Sequence, residues 1–193
     1  MSNSLILWFK ECSYKNKDLV GGKCSSLGEL YYLSRDITFD IADGFSVTTN
    51  LYDEFIKEHN LIETIKETLD NVDTTNIEEL NGCSNILKQI ITQSKMSDRH
   101  ISIIKQYYYE LCNIFHGEND TLEVAVRSSA VAEDLPNASF AGQQDTYLNI
   151  KGIDNLIPAI VDCFASLFNS RAISYRKTNN ICFEDVKISV AIQ

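Results

Sequence analysis

Hydrophobic residues recur every three or four positions through residues 61–115, and this spacing predicts a block of helices in the middle of the chain. Polar connections at 73–76 and 93–98 divide the block into three helices, and a glycine-containing segment at 116–120 ends it. The three apolar stripes are Leu61, Ile62, Ile65 and Leu69; Ile77, Leu80, Ile86, Leu87, Ile90 and Ile91; and Ile101, Ile104, Tyr108, Leu111, Cys112 and Phe115.

Shorter apolar runs on both sides of this block predict strands. Before it we expect strands at 5–9 and 45–48, a helix at 25–35, and a second helix that Thr49 or Asn50 caps. The apolar face of the helix at 25–35 consists of Leu27, Leu30 and Tyr31. After the block we expect strands at 122–126, 145–150 and 186–193, with helices at 153–168 and 170–177. The sequence therefore predicts an α+β fold with a central helical segment between strand-containing regions.

Composition restricts the class of protein. The chain has 193 residues, 44% of them hydrophobic, and its 27 acidic and 17 basic residues give a formal charge of -10. Such a charge argues against nonspecific nucleic-acid binding. We see no targeting segment and no apolar run of transmembrane length. The six cysteines are scattered and never form CxxC, which indicates free thiols and a cytoplasmic location. We expect no membrane partner.

Two segments carry candidate chemistry. In the first, Gly21, Gly22 and Lys23 precede a predicted helix, whose N-terminal amides would attract an anion. The spacing does not fit a P-loop, so a glycine turn with a solvated lysine is the alternative.

The second candidate segment begins with Arg127, at the end of the strand predicted at 122–126. A loop of small and serine-rich residues follows as far as Gly142. Arginine recognises phosphate oxygens, and small side chains let backbone amides approach them. The alternative is that Arg127 pairs with Glu133 or Asp134 and only holds the loop.

The histidines suggest no chemistry. His59, His100 and His116 lie far apart, each near the end of a predicted helix, and surface or capping roles are expected for them. We therefore assign neither a catalytic residue nor a metal ligand within this chain.

Four segments, in the same order, resemble the N-terminal nucleotide-binding region of phosphoenolpyruvate synthase, which also occurs in pyruvate phosphate dikinase and rifampicin phosphotransferase. They read LVGGKCSSLGEL, DGFSVTTNLYDEF, VAVRSSAVAEDLPNASFAGQQDTYLNI and CFASLFNSRAISYR. The resemblance implies an ATP-grasp fold, in which ATP lies between two α+β lobes. In the synthase, ATP phosphorylates a histidine and the phosphoryl group passes to pyruvate. The products are phosphoenolpyruvate, AMP and phosphate, and Mg²⁺ is required.

Five residues match nucleotide-contacting positions of this family. The resemblance implies that ATP is bound by Lys23, Arg127, Gly142, Thr146 and Gln193. The Mg²⁺ ligands are expected outside this chain, in a second lobe.

The chain also departs from the family at three positions. Cys24 replaces the usual asparagine, Ala42 replaces a proline, and Val131 replaces a common threonine. These changes are tolerable, although they would weaken helix capping or loop order.

We interpret residues 1–193 as an incomplete ATP-grasp domain, with a strand-helix part at 1–120 and a phosphate-loop part at 121–193. Whether the chain is itself an enzyme is uncertain, since it resembles pyruvate, water dikinase without the second lobe, phosphohistidine domain or pyruvate-binding barrel. ATP is the expected ligand, pyruvate would bind only through the missing domains, and a chain supplying the missing lobe is a candidate partner. The alternatives are part of a rifampicin phosphotransferase and a non-catalytic nucleotide- or partner-binding remnant.

Overall fold

A five-stranded antiparallel sheet lies at the centre of the computed structural model, which describes residues 3–34, 41–131, 134–135, 138–139 and 145–193. The strand order is β1-β2-β7-β3-β6. These strands are β1 (Ile6–Trp8), β2 (Phe45–Val47), β3 (Glu123–Ala130), β6 (Thr146–Lys151) and β7 (Ile188–Ile192). A two-stranded ribbon is formed by β4 (Asp134–Leu135) and β5 (Ala138–Ser139).

Seven helices surround the sheet in the described part of the chain. They are α1 (Lys17–Leu33), α2 (Thr49–Glu58), α3 (Leu61–Asp70), α4 (Ile77–Gln93), α5 (Asp98–Ile114), α6 (Ile153–Ser166) and α7 (Ser170–Thr178). The prediction of an α+β fold with a central helical segment is confirmed, because α2 to α5 lie in sequence between β2 and β3.

The two faces of the sheet have different coverings. Residues that are paired across antiparallel strands project to the same side, so Phe45, Ile192 and Val126 share one face. This face packs in the main hydrophobic core against α6 and against helices of the central segment. On the opposite face, Ala191 packs with Val20 and Cys24 of α1 in a smaller cluster. Helix α1 therefore lies on the sheet face that is turned away from the main core.

Polar side chains fix the ends of the helical block. Tyr108 is buried, and its hydroxyl donates to the carbonyl of Leu122 at 2.6 Å and accepts from the amide of Gly152 at 3.0 Å. Asp120 accepts from the amide of Ile153 at 2.9 Å, where α6 begins. The bonds of Tyr108 join α5 to the starts of β3 and α6. They also provide the hydrogen-bond partners that its buried hydroxyl needs.

Several predicted boundaries were wrong. Strand β3 continues to Ala130, whereas the sequence predicted an end before Arg127, because residues 126–130 pair with β7. Helix α1 begins at Lys17, whereas the sequence predicted a start at Ser25. Its buried residues include Cys24, Ser25 and Gly28, whereas the predicted stripe of Leu27, Leu30 and Tyr31 is half-buried or exposed.

The stretch Ile153–Thr178 is long and apolar enough to cross a bilayer by length and composition, and among the described residues no other stretch is. It consists of α6 and α7 with a short connection between them, and 67% of its most apolar window is buried inside the fold. This burial is typical of a core helix.

Candidate functional site

Strand pairing brings two of the predicted site residues together on the face of the sheet that carries α1. Arg127 of β3 is opposite Ala191 of β7 on one side and Thr146 of β6 on the other. Paired residues in antiparallel strands project to the same face, so the side chains of Arg127 and Thr146 lie next to each other. Arg127 is half-buried and Thr146 is exposed. The sequence had singled out Arg127 as a phosphate-binding candidate and the resemblance had named both residues; the strand register makes them neighbours.

A break in α1 places Lys23 beside the same strands. Gly21 has φ 72° and ψ 177°, a backbone conformation that is essentially restricted to glycine. A Cβ atom at this position would lie 2.2 Å from the carbonyl oxygen of Ser129, so only glycine allows α1 to approach β3 so closely. The predicted glycine turn therefore lies inside α1, and it directs the rest of the helix along the sheet.

Ser129 connects the break in α1 to β3. Its hydroxyl accepts hydrogen bonds from the backbone amides of Lys23 at 3.1 Å and Cys24 at 3.3 Å, and it donates to the carbonyl of Val20 at 3.0 Å. Ser189 of β7 also donates to the carbonyl of Val20. We had expected these helix amides to attract an anion, but Ser129 already accepts from them. The cationic group that α1 brings to this region is therefore the side chain of Lys23.

A groove of about 330 Å³ lies between α1 and the sheet. It combines two cationic side chains with an apolar wall. Its lining consists of Gly22, Lys23, Ser26, Leu27, Leu30, Arg127 and Ala191. An anionic ligand with an apolar portion suits such a lining, because the cations offset negative charge and the leucines offer an apolar contact.

Within this groove, Arg127 has unused hydrogen-bonding capacity. Its Nε atom is buried and has no hydrogen-bond partner among the residues that the structure describes. An unsatisfied buried donor costs about 1–3 kcal/mol, so an acceptor from a ligand would stabilise this arrangement. Glu133 and the side chain of Asp134, the alternative partners that the sequence suggested, lie outside the described residues.

Of the predicted residues that the structure describes, Lys23 and Arg127 line the groove, whereas Thr146 and Gln193 are not in its lining. Gln193 forms two backbone hydrogen bonds with Ala125, of 2.7 and 3.0 Å, and its side-chain amide donates to the carbonyl of Ala42 at 3.2 Å. This places it beyond Ala191 on the same sheet face. Gly142 lies outside the described residues.

Buried thiols next to the groove are chemically inert. Cys24 follows Lys23 directly and is fully buried, and this burial raises the pKa of its thiol. Burial likewise raises the pKa of Cys12, which packs against α1. Since the thiolate is the reactive form, neither residue suits a nucleophilic role.

Sequence reasoning missed the apolar part of the groove. Leu27 and Leu30 were predicted only as part of the apolar face of a helix, whereas in the structure Leu30 is exposed and both residues line the groove. Hydrophobic periodicity gives a helix face but does not distinguish the protein core from a ligand or a second domain as its neighbour. No other signal in the sequence would have separated these cases.

Comparison with known proteins identifies the family of this chain. Residues 17–193 match the family described as pyruvate phosphate dikinase, AMP/ATP-binding domain. The probable phosphoenolpyruvate synthase of Methanocaldococcus jannaschii is 42% identical over 191 residues, which make up 98% of this chain and 15% of that protein. The phosphoenolpyruvate synthase of Helicobacter pylori is 43% identical over 188 residues, 97% of this chain and 23% of that protein.

A third relative, the phosphoenolpyruvate synthase of Aquifex aeolicus, is 38% identical over 191 residues, 99% of this chain and 22% of that protein. The chain thus spans less than a quarter of the length of these curated relatives. The segments that form the groove lie within the matched region. This chain belongs to the pyruvate phosphate dikinase AMP/ATP-binding domain family and is similar over nearly its whole length to phosphoenolpyruvate synthases.

Proposed function

We propose that this chain is the ATP-binding part of a phosphoenolpyruvate-synthase-like phosphotransferase and that it binds the phosphates of ATP in the groove between α1 and β3. The observation that carries the proposal is that Lys23 and Arg127, from distant parts of the sequence, line one groove. The unpartnered Nε of Arg127 supports it, because a phosphate oxygen is a suitable acceptor for that donor.

Each groove residue has a distinct proposed role. The Lys23 ammonium offsets phosphate charge, and the Arg127 guanidinium both offsets charge and orients a phosphate through directed N–H donors. The Thr146 hydroxyl, next to Arg127, provides a further hydrogen bond. Leu27 and Leu30 supply apolar surface for the nucleoside. Gly142 and Gln193 are proposed as nucleotide contacts on the resemblance alone.

Magnesium is a separate requirement of the proposed reaction. The described lining of the groove contains no carboxylate, and Mg²⁺ prefers oxygen ligands of that kind. We therefore assign no Mg²⁺ ligand here and propose that the ligands come from outside this chain. The part of Lys23 and Arg127 is limited to holding the nucleotide.

The chemistry beyond nucleotide binding is proposed to require further domains. The resemblance implies a reaction that passes a phosphoryl group from ATP through a histidine to pyruvate. This chain spans less than a quarter of the length of its curated relatives. We propose that pyruvate is bound elsewhere in the full enzyme and that these 193 residues alone do not turn it over. The six free cysteines suit the reducing cytoplasm, which we propose as the location.

Exposed apolar residues beside the groove suggest where a second lobe would pack. Leu30, Tyr32 and Leu33 on α1 are 42%, 47% and 51% exposed, and Leu148 on β6 is 66% exposed. Contact with another lobe would remove this surface from water and would cover the bound nucleotide. We propose that the chain associates with such a lobe through these residues.

Isothermal titration calorimetry with ATP tests the proposed site. The matched variants are Arg127→Met against Arg171→Met, and Lys23→Met against Lys66→Met. Arg171 and Lys66 are exposed and lie away from the groove lining. Loss of one charge-assisted hydrogen bond is worth about 1.5–3 kcal/mol. This corresponds to about 10- to 150-fold weaker binding for each groove variant.

The controls should bind ATP as the unmodified chain does. Equal affinity of Arg127→Met and Arg171→Met would exclude the groove as the phosphate site. An unmodified chain that does not bind ATP would argue for a partner-binding role instead. Sustained formation of AMP and phosphoenolpyruvate from ATP and pyruvate by this chain would contradict the proposal that other domains are needed.

A further inference from the structure

A buried histidine lies between two carboxylates on the side of the sheet that is opposite the ATP groove. His100, in the first turn of α5, has no solvent exposure. Glu54 and Glu58 are four positions apart on α2, so their side chains project from the same face of that helix. One ligand atom from each of the three residues lies within 4.8 Å of the others. This cluster was not predicted from the sequence, where surface or capping roles were expected for His100.

The orientation of the imidazole ring is fixed on one side. Its Nε2 atom lies 2.9 Å from Oε2 of Glu54, and Nη1 of Arg99 lies 2.6 Å from the same oxygen. A carboxylate oxygen only accepts hydrogen bonds, so in this contact Nε2 of His100 carries the donated proton.

The other ring nitrogen is in an unusual position. Nδ1 is buried and has no hydrogen-bond partner among the described residues, although Oε2 of Glu58 lies 3.6 Å away. In the neutral ring Nδ1 is an acceptor, so two acceptor atoms face each other. A bound cation between the two atoms would satisfy both acceptors, which matters because an unsatisfied buried group is costly.

The separation of these two atoms suits a metal ion. A distance of 3.6 Å is longer than an N–H···O hydrogen bond. If both atoms lay about 2.1 Å from one zinc ion, a separation of 3.6 Å would correspond to a ligand–zinc–ligand angle of roughly 120°. Imidazole nitrogen with carboxylate oxygen is a donor set that transition metals accept, whereas Mg²⁺ takes oxygen ligands.

We propose that Nδ1 of His100 and the carboxylate of Glu58 bind a divalent transition-metal ion such as Zn²⁺, with solvent completing its coordination. Glu54 is the positioning residue, because it accepts the other ring proton and fixes the tautomer, as carboxylates commonly do for metal-binding histidines. Arg99 in turn holds Glu54. The Glu58 side chain is 38% exposed, so an ion from solvent can reach it.

The site does not depend on ATP binding. Helices α2 and α5 pack in the main core on one face of the sheet, while the ATP groove lies beside α1 on the other face. A metal here would join α2 to α5 and would stabilise the folded chain. Failure of the metal proposal and failure of the ATP proposal are therefore separate results.

Zinc titration of the 193-residue chain tests this proposal. A Cys182→Ser background removes the one exposed thiol, which would otherwise bind zinc itself. Calorimetry should show one Zn²⁺ ion per chain, and Co²⁺ should give the visible spectrum of nitrogen and oxygen ligation without thiolate. Glu58→Gln should weaken binding by at least about tenfold. The matched control Glu67→Gln, on the exposed face of α3, should bind as the background does.

Nitrogen-detected NMR of the histidine rings gives a second readout that needs no buried substitution. Zinc should shift Nδ1 of His100 while Nε2 keeps its proton. Absence of stoichiometric binding would overturn the proposal and would favour a protonated imidazolium between the two carboxylates. Equal binding by Glu58→Gln and Glu67→Gln would overturn it as well, because the ion would then lie elsewhere.

Discussion

Gly21 offers the sharpest test of how α1 is held against the sheet. Gly21→Ala adds one methyl group at φ 72° and ψ 177°, where the new Cβ would lie 2.2 Å from a backbone oxygen of Ser129. Gly82→Ala adds the same methyl group in the middle of α4, where nothing lies within 4 Å of the new Cβ. The two substitutions are chemically identical, and the structure predicts shifts of opposite sign.

The magnitudes follow from two terms. A non-glycine residue in this backbone region costs about 1–3 kcal/mol, and overpacking against a fixed backbone costs about 1–3 kcal/mol more. Gly21→Ala should therefore lower the free energy of unfolding by about 2–6 kcal/mol, a large part of the roughly 5–15 kcal/mol of a typical domain. Gly82→Ala should raise it by about 0.5–1 kcal/mol, because alanine is the better helix former.

Urea unfolding followed by far-ultraviolet circular dichroism measures both changes. With a urea dependence of about 2 kcal/mol per molar, the Gly21→Ala midpoint should fall by about 1–3 M, and the Gly82→Ala midpoint should rise slightly. Failure of Gly21→Ala to fold while Gly82→Ala folds would agree with the prediction. Equal midpoints, or a Gly21→Ala loss below about 1 kcal/mol, would show that α1 does not contact β3 in this way.

Two further predictions concern side chains. Ellman's reagent should react with one thiol in the folded chain, that of Cys182, because the other five cysteines are buried. In urea it should react with all six thiols. Rapid reaction of more than one thiol in the folded chain would refute this burial. Tyr108→Phe removes hydrogen bonds to Leu122 and Gly152 and should lower the unfolding free energy by about 1–3 kcal/mol. Tyr14→Phe, at a tyrosine that is 61% exposed, should change it by less than about 0.5 kcal/mol, and similar losses for the two variants would contradict the structure.

The helical block was predictable because its signals are local. The predicted connections at 73–76 and 93–98 match the ends of α3, α4 and α5 within a few residues. Asn76, in the first of these connections, accepts hydrogen bonds from the amides of Glu78 and Glu79 at the start of α4. Helical spacing and capping depend on residues within about two turns of each other, so a single sequence contains them.

Strand lengths were less predictable because strands pair over long distances. Residues 128–130 looked like a loop, since they are small and polar, yet they pair with residues 188–190 of β7. The serines fit a strand here because the hydroxyl of Ser129 accepts from α1, and that of Ser189 donates to it. The need for small polar side chains arises from the close approach of α1, which composition does not reveal.

Motif order predicted Lys23, Arg127 and Thr146 as parts of one nucleotide site, and this stays a prediction, whereas the apolar pattern alone was sufficient for the α+β class. The tertiary structure decided which residues are neighbours: it placed Arg127 opposite Thr146, brought Lys23 and Arg127 into one groove, and placed Leu27 and Leu30 of α1 in the wall of that groove. It also brought His100 between Glu54 and Glu58, an arrangement that no sequence pattern predicted. The physical reason is that periodicity records which face of an element is apolar, whereas the neighbour of that face is chosen by the packing of segments far apart in the chain.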